Sequence, residues 1–512
     1  MMRSHDSTTA PTSSSASRPP GAAPLDGALT EWTALASVPS GLLVDGEWRH
    51  ATGARALSVE DPATGRELLR VPDATAAECR EALSAAARAF ESWATEPPRR
   101  RSEVLARAAD LMRADGERVA LVLSGETGKP IGEARDEVAF AVEYLEWNAE
   151  EALQDLMRAE ADDDGSFLVS RRPVGPCLVI TPWNFPLAIP ARSIAPALAA
   201  GCTVVHRASD LAPLSSLALA DVLTRAGLPA GCLNVVVASE PAATDELLDD
   251  PRLRKLTFTG SNRVGVHLLA RCAARALRVT AELGGNAPFI VFADCHLDRA
   301  LDAAVAAKCR NGGQACTSAN RFYVERSLVE RFAAGLAERM AALSVGGGRE
   351  PGAELGPMIT AAAAERLAGL VDDAVVRGAR TVLAGGPLEG PGHFFAPVVL
   401  TDVPDDARVM REEIFGPVAP IAPFDDEAEA VARANATDMG LAAYVMSGDV
   451  GRAIRVAERL EAGMVGVNRG RVSAANAPFG GLKGSGFGRS GGREGMGEYL
   501  DVTYMALPDV AR

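Results

Sequence analysis

The stretch VGPCLVITPWNFPLAIPARSIAPALAAGCTVV, residues 174–205, sets the fold class of this chain. Residues 174–181 are an apolar run that predicts a strand, residues 190–201 repeat apolar positions at helical spacing, and residues 202–205 predict a second strand. The alternation continues through a helix at 214–226, strands at 233–238 and 256–259, and a helix at 264–277. Strands that alternate with helices of this length indicate a parallel, doubly wound sheet.

Outward from this stretch, the chain predicts a second α/β unit. Upstream lie a short hairpin in GLLVDGEW, residues 41–48, and three helices at residues 74–93, 100–124 and 131–157. Downstream come a strand at 289–293, a helix at 297–308, a strand at 321–325, a helix at 327–343 and further elements as far as 464–468. Two α/β units in series predict a cleft between them, with ligand sites at the carboxyl ends of strands.

The length, the net charge and the cysteine and histidine content of the chain exclude several classes of protein. A chain of 512 residues is too long for one core, and its net charge of −15 argues against a nucleic acid or an acidic membrane as main partner. The eight cysteines are scattered without a C-x-x-C pair, and the six histidines show no metal-ligand spacing, which predicts reduced thiols, a cytoplasmic protein and no metal site. No apolar run is long enough for a membrane span. Residues 1–39 are predicted to be a disordered tail without a secretory signal.

One cysteine stands in a run that suits nucleophilic catalysis. Cys316 lies among small residues in GGQACTSANR, and Glu282 lies upstream in the Gly-Gly turn of ELGGNAPF. A thiol is mostly protonated at neutral pH, so nearby cations such as Arg310 are expected to raise its thiolate fraction. Glu282 could activate a water molecule or accept the thiol proton. The absence of a nearby histidine argues against a Cys-His arrangement.

Four further runs carry weaker signals. In ITPWNFPL, Asn184 either holds a developing oxyanion or fixes a turn. In FTGSNRVG, Gly260 and Gly265 flank the start of a helix, where backbone N–H groups can approach a phosphate, but the spacing is not that of the dinucleotide fingerprint. EEIFGPV, at residues 412–418, and the Gly-rich PFGGLKGSGFGRSGG, at 478–492, are unremarkable alone, and the second could be a flexible surface loop.

Taken together, these runs resemble the aldehyde dehydrogenase superfamily, in which TPWNFP, FTGS, ELGG, GQAC, EEIFGP and PFGG occur in this order. The resemblance covers nearly the whole chain from about residue 40. It implies a Rossmann-type nicotinamide-dinucleotide-binding domain at 40–153 and 172–282, an α/β catalytic domain at 283–496, and a small β bridging segment at 154–171 and 497–512. The bridging segment implies a homodimer or homotetramer, since the tail alternates like an edge strand.

The resemblance also implies roles for matching residues. Cys316 would attack the aldehyde carbon, Asn184 and the Cys316 backbone N–H would stabilise the oxyanion, hydride would pass to the nicotinamide, and Glu282 would activate water to hydrolyse the thioester. The implied cofactor-binding residues are Thr181, Trp183, Arg207, Asp210, Gly260, Ser261, Val264, Glu413 and Phe415.

Within the superfamily the chain most resembles the succinate-semialdehyde dehydrogenase subgroup. That likeness implies a carboxylate pocket made by Arg192, Arg310 and Ser473, which suits a substrate with one anionic end because guanidinium groups bind carboxylates bidentately. Arg310 could instead be the structural partner of a nearby acid. Other aldehydes, such as glutarate semialdehyde or an aromatic aldehyde, and a catalytically idle binding protein stay as alternatives.

The choice between NAD and NADP rests on two residues that point in opposite directions. Asp210 can bond the ribose 2′-hydroxyl and repel a 2′-phosphate, which favours NAD, whereas Arg207 could accept that phosphate and so favour NADP. The balance leans slightly to NAD.

Overall fold

The structure is a computed structural model that describes residues 34, 35, 37–53, 55–154, 157–162 and 165–507. Most of the predicted tail at residues 1–39 lies outside these ranges, as do residues 508–512 of the predicted bridging segment. No helix of the described residues is long and apolar enough to cross a membrane.

An eight-stranded sheet forms the first half of the molecule. Five parallel strands occupy its centre, and antiparallel strands flank them at both edges. In spatial order the strands are Glu47–Arg49, Leu42–Val44, Leu233–Val237, Thr203–Ala208, Pro176–Ile180, Lys255–Thr259, Arg278–Glu282 and Gly486–Phe487. The doubly wound sheet and the hairpin predicted from GLLVDGEW are both confirmed. The hairpin turns at Asp45 and Gly46, which both have positive φ, as a two-residue turn of this type requires.

Helices pack against this sheet and against one another, and two of the predicted helices are wrong in extent. The helices are Ala76–Trp93, Pro98–Ala114, Gly116–Thr127, Ile131–Glu151, Ala188–Ala200, Leu214–Arg225, Pro241–Asp245 and Asn262–Ala273. The helix predicted at 100–124 is two helices, because the chain leaves helical geometry at Asp115, whose carboxylate binds Arg118 and Arg225. The helix predicted to end at 157 ends at Glu151, because the following residues pair as a strand.

A seven-stranded sheet forms the second half. In spatial order its strands are Arg380–Leu383, Val398–Thr401, Val418–Phe424, Ala319–Glu325, Ala287–Val291, Ala442–Met446 and Met464–Val467, and only the first pairs antiparallel. Its helices are Leu297–Cys309, Val329–Ala341, Ala361–Val376, Arg408–Arg411, Glu427–Asn435 and Val450–Arg459. The short helix Gly492–Gly497 packs instead on Ile131–Glu151 and Ala188–Ala200 of the first half. The predicted domain boundaries stay predictions.

A separate three-stranded sheet contains the C-terminal strand. Leu500–Leu507 pairs antiparallel with Gly165–Pro173, which pairs in turn with Met157–Asp162. Val502 and Tyr504 on the outer strand are mostly exposed. The remaining ladders are Ala56–Asp61 with Arg66–Pro72, Gly386–Pro387 with Phe395–Ala396, and Met439–Gly440 with Leu482–Lys483.

The connection between the two large sheets brings the predicted site residues together. The first sheet reverses its strand order between Pro176–Ile180 and Lys255–Thr259, and the loops after these strands carry Asn184 and Gly260. Cys316, however, precedes the strand Ala319–Glu325, so it lies at an amino end and not at the predicted carboxyl end. The reason is that Arg278–Glu282 leads almost directly into Ala287–Val291, so the carboxyl edge of one sheet faces the amino edge of the other.

Candidate active site

A cavity of about 250 Å³ lies where the two sheets meet. Its wall contains all three predicted catalytic residues, Asn184, Glu282 and Cys316. It also contains five predicted cofactor-binding residues, namely Trp183, Gly260, Ser261, Glu413 and Phe415. The structure therefore gathers residues that are far apart in the sequence around one space.

Cys316 is partly exposed and opens into this cavity. Burial raises the pKa of its thiol to about 11, although the charges of Arg192 and, more weakly, Arg310 act to lower it. The expectation that nearby cations raise the thiolate fraction is right in sign, but the cost of desolvation is larger. A β-carbon at Gly285 would lie 2.5 Å from the Cys316 carbonyl oxygen, so the Gly-Gly turn lets the two segments approach closely.

Glu282 is the last residue of the strand Arg278–Glu282, and the Gly-Gly turn follows it. Ser490 Oγ donates a hydrogen bond of 3.0 Å to Glu282 Oε1, while Glu282 Oε2 is buried without a partner. Burial raises the pKa of this carboxyl to about 8, and the charge of Arg192 is the strongest effect that lowers it. A carboxyl with a pKa near neutrality is suited to take a proton from water.

Asn184 is fixed by bonds at both its main chain and its side chain. Its carbonyl oxygen accepts from Lys129 Nζ and Asn311 Nδ2, each at 2.9 Å, and its Nδ2 donates to the Gln314 carbonyl at 3.0 Å. The Asn184 amide therefore contacts the segment that leads into Cys316.

A second cavity, of about 40 Å³, reaches Cys316 from the other side and contains the predicted carboxylate-binding residues. Arg192, Arg310 and Ser473 all lie in its wall. Arg192 is 4 % exposed, and its guanidinium lies 3.9 Å from the centre of the Phe479 ring. Its Nε and Nη2 have no hydrogen-bond partner among the residues that the structure describes. A buried cation with free donors is costly unless an anion binds it.

Arg310 stands at the outer end of this cavity. Its Nη2 donates to Thr317 Oγ1 at 3.4 Å, and its guanidinium lies 5.2 Å from the centre of the Phe185 ring. Within the described ranges it forms no ion pair with an acid, although its charge acts to lower the pKa of the nearby Glu133 carboxyl. Arg310 and Ser473 also border an outer cavity of about 350 Å³, whose wall includes Asp136 and Arg471.

The proposed phosphate position follows the strand Lys255–Thr259. Ser261 caps the helix Asn262–Ala273 without a bond from its side chain, so N–H groups of the first turn stay free for an anion. Val264 is partly buried in that turn. Leu283 Cδ2 would lie 2.3 Å from a β-carbon at Gly265, so this glycine lets the helix pack on the strand end.

Glu413 and Phe415 are held firmly at the cavity wall. Glu413 Oε1 accepts from the Gly285 N–H at 3.0 Å, and burial raises the pKa of this carboxyl to about 7. Phe415 has a φ of 56°, which is rare for a residue with a side chain, and its ring meets Trp183 edge-on at 5.6 Å. The run EEIFGPV thus provides two side chains to the site.

The remaining cofactor candidates lie at the ends of neighbouring strands. Thr181 Oγ1 is 3.0 Å from His206 Nε2, and burial lowers the pKa of that histidine to about 3. Arg207 donates from Nε and Nη2 to the Ala238 carbonyl at 3.1 and 2.7 Å. Asp210 is partly exposed beyond the end of the same strand as Arg207.

Comparison with known proteins identifies this arrangement. The model of the aldehyde dehydrogenase family matches residues 48–505. The chain belongs to the aldehyde dehydrogenase family. The predicted family, fold class and enzyme class are confirmed, and the protein is an NAD(P)-dependent oxidoreductase that converts an aldehyde to a carboxylic acid.

Three relatives of this aldehyde dehydrogenase illustrate the likeness. A succinate-semialdehyde dehydrogenase of Paenarthrobacter nicotinovorans is 49 % identical over 86 % of this chain and 99 % of its own. A glutarate-semialdehyde dehydrogenase of Pseudomonas aeruginosa is 44 % identical over 91 % of this chain and 96 % of its own. The crystal structure of an NADP-dependent enzyme of E. coli superimposes with a TM-score of 0.91 at 43 % identity, covering 92 % of this chain and 98 % of the other.

The structure of this aldehyde dehydrogenase also reveals site residues that the sequence did not single out. Ser490 binds Glu282 from the Gly-rich run 478–492, which contains the short strands Leu482–Lys483 and Gly486–Phe487. Tyr144 and Phe140, on the helix Ile131–Glu151, line the small cavity beside Arg192. No local signal marks the two aromatic residues, because their helical spacing is equally typical of a hydrophobic core.

Proposed function

We propose that this aldehyde dehydrogenase oxidises succinate semialdehyde to succinate. The observation that carries the proposal is the convergence of Arg192, Arg310 and Ser473 on the small cavity that contains Cys316. Two guanidinium groups and a hydroxyl there would bind the carboxylate while the aldehyde carbon meets the thiol. The likeness to a succinate-semialdehyde dehydrogenase supports the same substrate.

The first chemical step belongs to Cys316. Its thiolate attacks the aldehyde carbon, a C–S bond forms, and the carbonyl electrons move to oxygen. The Asn184 amide and the Cys316 backbone N–H stabilise this oxyanion, a role in which one donor contributes about 3–4 kcal/mol. Because burial raises the pKa of Cys316, the charge of Arg192 is needed to favour the thiolate.

The second step belongs to Glu282. Gly260, Ser261, Glu413 and Phe415 would hold a nicotinamide dinucleotide, which would supply the hydride acceptor needed to oxidise the Cys316 adduct to a thioester. Glu282 then takes a proton from water, the water oxygen attacks the acyl carbon, and the C–S bond breaks to release the acid and restore the thiolate.

We propose NAD as the preferred cofactor. Arg207 uses two of its donor groups on the Ala238 carbonyl, which reduces its capacity for a 2′-phosphate, and Asp210 adds a negative charge nearby. The similar E. coli structure is that of an NADP-dependent enzyme, so the preference must be measured. The ratio of kcat/KM with NAD to that with NADP decides it, and a ratio below one refutes the preference.

Glutarate semialdehyde is the second candidate substrate. The small cavity shares Arg310 and Ser473 with the outer cavity of about 350 Å³, which could give room for a longer chain. The likeness to a glutarate-semialdehyde dehydrogenase also favours this candidate. An aromatic aldehyde would leave Arg192 without an anion and is therefore disfavoured.

The test follows NADH and NADPH formation with succinate semialdehyde, glutarate semialdehyde, butanal and benzaldehyde. We expect no turnover by Cys316→Ser, and we expect Arg310→Ala to lower kcat/KM at least tenfold for the two acids but not for butanal. Arg326→Ala, at a surface arginine paired with Asp425, is the matched control. If the protein oxidises none of these aldehydes, the enzymatic role is refuted and the alternative of a catalytically idle binding protein is favoured. Preference for uncharged aldehydes, with no effect of Arg310→Ala, refutes the carboxylate pocket.

We also propose a cytoplasmic homodimer or homotetramer. The eight free cysteines support a reducing compartment. The exposed outer strand Leu500–Leu507 supports assembly through the three-stranded sheet. The subunit count is tested by light scattering of the full chain, and a monomer at micromolar concentration contradicts it.

A further inference from the structure

A single hydroxyl tethers the carboxylate that is proposed to activate water. Ser490 Oγ donates to Glu282 Oε1 at 3.0 Å, and the two residues are 6 % and 2 % exposed. The other oxygen, Oε2, is buried without a hydrogen-bond partner, and Glu282 lies in the wall of the cavity that contains Cys316. The carboxylate is therefore bound at one oxygen and free at the other.

The main chain fixes Ser490 independently of Glu282. Its N–H donates to the Phe479 carbonyl at 2.8 Å, and the Phe479 N–H donates to the Ser490 carbonyl at 2.6 Å. Gly491 and Gly492 follow with φ of 67° and 58°, and a β-carbon at Gly491 would lie 2.9 Å from the Ala477 carbonyl oxygen. Ser490 is thus a rigid anchor, because its backbone is paired and the turn after it requires glycine.

Phe479, which pairs with Ser490, also contacts the arginine that is proposed to bind the substrate carboxylate. The ring of Phe479 packs against the Arg192 guanidinium at 3.9 Å, and that charge also favours the ionised form of Glu282. One ordered loop therefore holds both the arginine proposed to bind substrate and the serine bound to the proposed base.

We propose that Ser490 is the positioning residue that holds Glu282 Oε2 toward the thioester of Cys316, so that it can activate the hydrolytic water. In that step the water proton moves to Glu282, the water oxygen bonds to the acyl carbon, and the C–S bond breaks with its electrons left on sulfur. A glutamate without this tether can turn its carboxylate to other rotamers, which lowers the fraction of enzyme ready for hydrolysis. The inference rests on the roles proposed for Cys316 and Glu282.

The experiment compares the full-length wild type with Ser490→Ala. Rapid mixing gives the rate of the first NADH turnover, and mass spectrometry of acid-quenched protein gives the decay of the acyl group on Cys316. We expect Ser490→Ala to form the acyl-enzyme within twofold of the wild-type rate and to hydrolyse it about tenfold more slowly, the loss expected for one hydrogen bond to a charged group. Thr203→Val is the matched control, since it removes a buried hydroxyl whose bond to the Ala86 carbonyl lies away from the cavities.

Two readouts separate positioning from general damage. Added hydroxylamine attacks the thioester directly, forming a hydroxamate and releasing the thiolate, so it should restore the turnover of Ser490→Ala to within twofold of wild type. The rising limb of hydrolysis against pH should move up by about one unit in this variant, because the lost bond favours the charged carboxylate.

Wild-type hydrolysis and an unchanged pH profile in Ser490→Ala would overturn the proposal. If Ser490→Ala does not fold, Ser490→Cys decides, because a weak thiol donor of similar shape must also shift the pH profile upward. Failure of the underlying function gives a different result. In that case Glu282→Gln hydrolyses the acyl-enzyme normally, or no acyl group is found on Cys316.

Discussion

Replacing Arg192 by methionine should abolish the preference for carboxylate-bearing aldehydes without destabilising the protein. Arg192 is 4 % exposed, and its Nε and Nη2 lack any hydrogen-bond partner. Its guanidinium packs on the Phe479 ring at 3.9 Å and lies beside the Tyr144 hydroxyl. Methionine is unbranched and packs well against an aromatic ring, so the substitution removes the charge and keeps the contact.

The expected loss follows from the free donors. A hydrogen bond to a charged group contributes about 1.5–3 kcal/mol, so two such bonds to the substrate carboxylate contribute at least about 3 kcal/mol. That value corresponds to a decrease of about a hundredfold in kcat/KM for succinate semialdehyde. Butanal has no carboxylate and should lose much less, through the weaker support of the ionised forms of Cys316 and Glu282.

Thermal stability should move in the opposite direction from function. A buried, unpaired guanidinium costs free energy in the folded state, so Arg192→Met should keep or raise the apparent melting temperature. Arg101 is equally buried at 4 % exposure, but it donates to the Ala199 carbonyl at 2.9 Å and to the Glu96 carbonyl at 2.5 Å. Arg101→Met should therefore lower the melting temperature, because it leaves buried carbonyl groups without donors, and should keep the substrate preference.

The assay measures kcat/KM for both aldehydes and the melting temperature at one scan rate, for the wild type and the two variants. The reasoning is refuted if Arg192→Met melts as low as Arg101→Met and loses activity equally with butanal and succinate semialdehyde. That result would make Arg192 a structural residue.

Three further predictions concern charge at the site. The pKa of Glu282 is higher in the folded than in the unfolded protein, so its contribution to the free energy of unfolding falls as pH rises from about 4.5 to about 8. Glu282→Gln should therefore raise the melting temperature more at pH 8 than at pH 5. An equal change at both pH values contradicts this. Arg471→Leu should lower kcat/KM for succinate semialdehyde severalfold at low salt and less at high salt, as for electrostatic steering, whereas the exposed Arg469→Leu should not. Asp210→Ala should improve kcat/KM with NADP and Arg207→Ala should not, and an unchanged NADP preference in Asp210→Ala removes the argument for NAD.

The sequence predicts the first sheet well because its buried parallel strands are short apolar runs between helices. The strand Arg278–Glu282 was not predicted, since it has an exposed, charged start and follows its helix closely. The break at Asp115 was missed because helical spacing continues on both sides of it, and only the tertiary pairing with Arg225 reveals the turn. The local hydrophobic spacing thus predicts which helices and strands form, whereas long-range contacts determine where they end.

The site residues divide in a similar way. Cys316 and Glu282 stand in small-residue runs that are visible in sequence, but the rise in the pKa of the thiol is not, because burial is a property of the folded molecule. Arg192 was inferred only from family resemblance. Ser490 could not be predicted at all, since its bond to Glu282 joins residues from distant parts of the chain.

Three groups in the walls of the cavities have an electrostatic environment that disfavours their charged or unpaired forms. Among the described residues, Arg192 Nε and Nη2 and Glu282 Oε2 have no hydrogen-bond partner, and burial raises the pKa of the Cys316 thiol. The unpaired polar atoms of Arg192 and Glu282 lower the stability of the folded protein, and a bound carboxylate would pair with Arg192. The product succinate should therefore raise the melting temperature of the wild type but not of Arg192→Met, because a ligand stabilises only the state that binds it. The unpaired Arg192 guanidinium thus destabilises the folded protein, and an anionic substrate that pairs with it binds more tightly than an uncharged one.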